Sequence, residues 1–170
     1  MANGRKQVVD VSGALAGMDR LVQIVEPVAR AMGSAMGGSV RDEAKLRAPI
    51  LKPENVGTDN QQPGVLQRAI YQAFDERAHV LNPLEYKYNV SWNSKVAPHG
   101  HLIEFGHKMP FQYDITGDGR YFTPKPEQAQ VKQIFVAALP FLGPAFDAKQ
   151  RTLLSTAVSA GSVKFGEVTQ

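Results

Sequence analysis

The sequence predicts an α+β fold: an antiparallel β-sheet with an extended β-hairpin, packed by N-terminal helices and one C-terminal helix. Three observations carry the prediction. Apolar residues recur three and four apart from about Ser12 to Ala48. They alternate singly with polar residues at Tyr86–Asn93 and Phe111–Ile115. They return to helical spacing from about Pro144 to Ala160. A period of 3.6 marks a helix with one buried face, and a period of 2 marks a half-buried strand.

The first helical stretch reads as two pieces. Leu15, Met18, Val22 and Val25 recur after Ser12, a suitable N-cap, and Pro27 then interrupts the run because it lacks an N–H and crowds the preceding turn. Beyond it Val28, Met32, Met36, Val40, Ala44 and Ala48 line one face, with Ala31 and Ala35 beside them. Pro49 ends the helix by pushing Ala48 out of the α region. Gly33 and Gly37 stand four apart on this helix. They suit either close helix–helix contact in an oligomer or a core helix whose packing absorbs them.

Residues 50–64 form a polar loop, and Val65–Phe74 fits helix and strand equally. Tyr86, Tyr88, Val90 and Trp92 share one face of a strand. The simplest partner is a second strand from His99 to Phe105, reached through the turn at Asn93–Pro98. A further hairpin follows, with Phe111, Tyr113 and Ile115 outbound, Thr116–Gly119 as the turn, and Arg120–Thr123 returning. Pro124 and Pro126 end the pairing. Val131–Val136 reads as a strand. The last helix buries Phe146, Leu153, Leu154, Ala157 and Val158, and Gly161 is its expected stop.

At 170 residues and 43% hydrophobic, the chain is expected to form one domain with a real core. Its divisions are an N-terminal arm (1–11), the long loop (50–64), a protruding hairpin (107–123) and a C-terminal tail (161–170). The net charge of +3 is spread through mixed runs such as Arg41–Lys45, which describes a solvated surface rather than a nucleic-acid stripe. The absence of cysteine excludes disulfides and thiolate metal sites. Neither a secretory h-region nor a bilayer-spanning run is visible, so the expectation is a soluble protein with no membrane partner.

Candidate chemistry is sparse. His99, His101 and His107 suggest a metal-dependent hydrolase, but strand alternation would turn Glu104 away from the histidine face and leave the ligand set short. Glu104, an acid between Ile103 and Phe105, is expected at the solvent or at a subunit boundary, where an arginine can pair with it. Asp114–Gly119 begins like a calcium loop, yet Lys125 stands where the bidentate acid belongs, so it reads as a turn. No phosphate loop or nucleophile elbow is present. No cofactor is expected. A small basic nucleic-acid-binding protein is a further alternative.

Four segments carry a resemblance: Val11–Leu15, Glu43–Pro49 followed by Gly64–Ile70, His101–Gly106 (His-Leu-Ile-Glu-Phe-Gly), and Pro140–Asp147 (Pro-Phe-Leu-Gly-Pro-Ala-Phe-Asp). In that order the chain resembles the neck, or tail-completion, proteins of long-tailed bacteriophages, the minor tail component family. Two departures stand out: Gly143 replaces a usual arginine, and residues 107–139 form a long excursion. The resemblance implies a non-enzymatic virion protein, assembled in the host cytoplasm. Copies would form a ring, sixfold or alternatively twelvefold, at the head–tail junction. Implied partners are the head-closure or connector protein, the tail terminator or tail tube, and genomic DNA passing through the lumen. Within such a ring the expected contact residues are Tyr113, Ile115, Tyr121 and Phe122 of the hairpin, Lys52, Glu54 and Asp59 of the loop, and Glu104.

Overall fold

The computed structural model describes residues 12–50, 62–109, 113–115, 122–124 and 134–170. Side chains are described throughout these spans except at 12–16, 109, 113–115, 122–124 and 134. The architecture is α+β. Helix α1 (Ser12–Arg47) is followed by α2 (Val65–Ala69), strand β1 (Ile70–Phe74), α3 (Glu76–Leu81) and β2 (Tyr88–Trp92). Next come α4 (Gly100–Phe105), β3 (His107–Met109), β4 (Tyr113–Ile115), β5 (Phe122–Pro124) and β6 (Ile134–Val136). Helices α5 (Leu142–Lys149) and α6 (Leu153–Val168) complete the chain.

Helix α1 runs through Pro27 as one helix of 36 residues, not two pieces. Proline removes the bond to the carbonyl four residues back, and here that carbonyl belongs to exposed Gln23, where water can satisfy it. The helix ends before Pro49, as expected. Its last turn is tied by Gln67, whose Nε2 donates to the carbonyls of Lys45 (2.9 Å) and Ala48 (3.4 Å). Those carbonyls would otherwise be among the orphans of a helix end.

The segment 65–74 is both of its candidate structures in turn, a short helix and then a strand. β1 pairs antiparallel with β2, from Ile70 opposite Trp92 to Phe74 opposite Tyr88. The predicted strand 86–93 is therefore present as β2, with β1 and not 99–105 as its partner. This ladder lies on α1. The Tyr88 hydroxyl donates to the Arg30 carbonyl at 3.1 Å, and Gln72 Nε2 donates to Ser34 O and Oγ, both at 3.2 Å. Gly33 and Gly37 are the seats for this contact: a Cβ at Gly33 would lie 2.7 Å from the Tyr88 ring, and one at Gly37 would lie 3.2 Å from Gln72 Oε1. Of the two readings of these glycines, core packing is the one seen.

The long excursion is a nested pair of ladders. β3 pairs with β6, His107 opposite Val136, and β4 pairs with β5, Ile115 opposite Phe122. The extended hairpin is thus present and is closed at its base by β6, so it reaches beyond the predicted 107–123. Its turn and Tyr121 lie outside the described residues, as do the arm 1–11 and the loop residues Lys52, Glu54 and Asp59.

The predicted C-terminal helix is two helices. α6 begins at Leu153 and continues through Gly161 to Val168, so 161–170 is not a tail. Gly161 is buried against α1, where a Cβ would meet Met32 Cγ at 2.8 Å and Sδ at 2.9 Å. Of the face expected to be buried, Ala157 is, while Phe146, Leu154 and Val158 are exposed. The core gathers Ala44 and Ala48 of α1, Leu66, Ala69 and Ile70, Ala97, Phe141 and Ala145. Ile70 and Phe141 are its largest fully buried side chains; each contributes about 2–3 kcal/mol of burial.

Candidate functional site

Residues 100–105 are a helix, not a strand, and this changes what Glu104 does. In a helix, positions four apart share a face. Gly100 and Glu104 are the two buried residues of α4. Gly100 has the Trp92 indole directly against its Cα, closer than any side chain would allow. Trp92 in turn meets Phe141 edge-on, with ring centroids 5.9 Å apart.

Glu104 is only 8% exposed and points at the start of α5. Its Oε2 accepts from the backbone N–H groups of Phe141 (2.8 Å) and Leu142 (3.1 Å), and its Oε1 accepts from Gly143 (3.3 Å). Pro144 has no N–H to satisfy, and the Ala145 N–H makes the first helical bond, to Phe141 O at 3.3 Å. Every donor of the first turn is accounted for. The carboxylate also faces the positive end of the helix. Glu104 is therefore neither at the solvent nor awaiting an arginine. A Cβ at Gly143 would sit 3.9 Å from Oε1, in ordinary contact, so the residue absent relative to the resembled family is not needed to hold the acid.

Gly106 makes the approach possible. Its φ of 69° lies in the region that favours glycine, and a Cβ there would fall 2.7 Å from Val136 O and 2.9 Å from Ala138 N. The Leu139 N–H donates to Ile103 O at 2.8 Å, fixing the returning chain beside α4. Chemically the site is a structural clamp. Both oxygens of Glu104 are bonded to backbone donors of the α5 start.

The histidines do not converge. His101 sits on the exposed side of α4 with Nδ1 2.8 Å from Pro98 O, and His107 lies on β3. Among the described residues, no three His, Cys, Asp or Glu side chains come together as a metal site.

Beside the clamp is a groove of about 570 Å³. Met36 and Val40 of α1, Tyr86, Tyr88 and Val90, and Leu142 and Phe146 of α5 line it. Of the expected contact residues, Tyr113, Ile115 and Phe122 fall on the β4–β5 ladder, and nothing described brings them to the clamp. The sequence reading missed the exposed apolar faces of α1 and α6, although the period-3.6 stripe that predicts a helix also marks them. Among the described residues, no helix is long and apolar enough to cross a membrane. Compared with protein-family models, with curated proteins and with solved structures, the chain matches none.

Proposed function

We propose that this is a virion structural protein of the phage neck or tail-completion kind, acting by assembly rather than catalysis. Copies associate into a ring between the head-closure or connector complex and the tail terminator or tail tube, and the genome passes through the lumen. One observation supports this reading above the others. Three of the resembling segments, which are scattered along the sequence, meet in one joint. Gln67 of the Gly64–Ile70 segment caps the helix that ends in Glu43–Pro49. Glu104 of the His101–Gly106 segment caps the helix that opens in Pro140–Asp147. Ala44, Ala48, Leu66, Ala69, Ile70, Phe141 and Ala145, all from these stretches, make up most of the core. A resemblance carried by unrelated surface residues would have no reason to assemble this way.

The test is a phage lacking the protein, imaged by negative stain. Full heads and finished tails should accumulate unjoined. A chain with Gln112–Tyr121 deleted should fold and yet fail to restore joining. Normal particles in the absence of the protein would refute the reading, and normal joining by the deletion would remove the hairpin from it.

A further inference from the structure

The groove beside the clamp runs along the open edge of a strand. Two bonds flank the β1–β2 ladder, Asp75 N–H to Lys87 O at 2.8 Å and Asn93 N–H to Ala69 O at 2.9 Å. Bonded positions alternate in an antiparallel pair, so Tyr71 bonds with Ser91 and Ala73 with Asn89. The backbone N–H and C=O groups of Tyr88 and Val90 therefore point away from β1. Among the described residues those groups have no hydrogen-bond partner.

The order of contacts around α1 places the groove on that edge. Ser34 holds Gln72 of β1, Gly33 and Gly37 seat Tyr88 of β2, Met36 and Val40 floor the groove, and Val28 and Met32 meet Gly161 of α6. At about 100° per residue, each step in this order turns roughly 60–80° about the helix axis. The groove is thus the gap between β2 and α6, on the side of β2 that β1 leaves open, with Phe146 of α5 in its wall. Asp147 is the one charged residue among the described residues that line it. An extended segment suits such a gap. Its backbone would bond to Tyr88 and Val90, and every second side chain would rest on the apolar floor.

We infer that this groove receives residues 6–11 (Lys-Gln-Val-Val-Asp-Val) of a second copy, added as a third strand beside β2. The stretch is rich in β-branched valine and holds neither proline nor glycine. In an extended segment Val9 and Val11 share one face, which suits Met36 and Val40, while Lys6, Val8 and Asp10 share the other. Lys6 carries the charge opposite to Asp147, and Asp10 lies about 13 Å further along. The donor cannot be the same chain. Met36 stands about 36 Å along α1 from Ser12, whereas residues 6–11 reach at most about 22 Å from that point. An arm of one copy in the groove of the next joins unlike surfaces, the kind of contact that closes into rings. The inference deepens the assembly reading by naming a contact, and it rests on that reading only for the presence of a second copy.

Sedimentation velocity and amide hydrogen exchange of the full chain, each over a wide concentration range, test it. As the chain associates, exchange at Tyr88 and Val90 should slow at least tenfold. Val9→Asp in the arm and Phe146→Glu in the groove wall, where Phe146 is 48% exposed, should each abolish that slowing with unchanged circular dichroism. Both should raise the concentration of half-association at least tenfold. Val8→Asp, on the outward face of the segment, should associate like the wild type. A chain that stays monomeric, or slowing at Tyr88 and Val90 that survives Val9→Asp, would overturn the inference. Equal losses in Val8→Asp and Val9→Asp would overturn it too, because the floor would not be choosing a face. Association without slowing at these amides sinks the groove contact and leaves the assembly reading standing. Normal particles from a phage lacking the protein would remove that reading and leave the pairing of copies intact.

Discussion

A single carboxylate at Glu104 replaces the N-cap that α5 lacks locally, since Phe141 offers its helix no side-chain cap of its own. Backbone donors at a buried helix start must bond to something, and here the acceptor comes from 37 residues earlier. Glu104→Ala removes the acceptor of three N–H groups, one of them buried, and should cost about 2–3 kcal/mol. Glu104→Gln keeps one oxygen for Phe141 and Leu142 but turns an NH₂ toward the Gly143 N–H, so about 1 kcal/mol is expected. Urea unfolding midpoints of the two variants read the difference. If alanine left the midpoint unchanged, Glu104 would be a surface contact after all. The sequence made both halves of this joint conspicuous, the Glu-Phe-Gly turn and the proline-framed Phe141, yet gave no sign that they touch. A cap reaching across that distance has no local periodicity to betray it.

At the level of elements, two glycines that look alike in sequence should respond oppositely to alanine. In a helix interior either substitution gains about 1 kcal/mol of propensity. At Gly161 the new Cβ crowds Met32, whose unbranched side chain can swing aside, and meets Val28 Cγ1 at an ordinary 3.6 Å, so Gly161→Ala should be neutral or slightly stabilising. At Gly33 it meets the Tyr88 ring. That ring is pinned by its hydroxyl bond to Arg30 and by Phe74, 5.3 Å away. Overpacking there costs about 1–3 kcal/mol and exceeds the gain. Thermal melts that ranked Gly33→Ala above Gly161→Ala would overturn the seating of β2 on α1. Elements with a clean period were legible: the apolar stripe of α1, the alternation of β2, and the outbound and returning strands β4 and β5. Those lost were of two kinds. The stretch 100–105 holds Leu102, Ile103 and Phe105 in a run too short to show its period, and the buried face falls on Gly100 and Glu104, which no hydrophobicity pattern marks. The breaks at Pro27 and Gly161 failed for another reason: the carbonyl that Pro27 leaves free belongs to exposed Gln23, and Gly161 packs against Met32 of α1, so neither local penalty ends its helix.

Over the whole molecule, α1 is the beam against which α2, β1, β2, α5 and α6 pack, and part of its attachment to α5 is an ion pair. Glu43 accepts from Arg47 at 2.8 Å and from Lys149 of α5 at 3.2 Å. These two cations, Lys149 first, hold the Glu43 carboxyl below its ordinary value of 4.5. Asp75 is held below 3.8 by the Ala78 N–H at the start of α3, then by Asn89 and Lys87 of the β2 strand region. A carboxyl whose folded pKa is depressed adds stability above its unfolded pKa, and that stability is lost as the pH falls through the folded value. Stability should therefore be level from neutrality down to about pH 5 and decline below it. Lys149→Met removes the inter-element partner of Glu43 while keeping the length of the side chain. Its acid limb should be shallower than that of the wild type, with little change at Arg47. Melting temperatures taken across the acid range would show this as two curves that converge at low pH. Parallel curves would mean that the pairing of α1 with α5 contributes nothing electrostatic and that the joint stands on its buried core and the Glu104 cap alone.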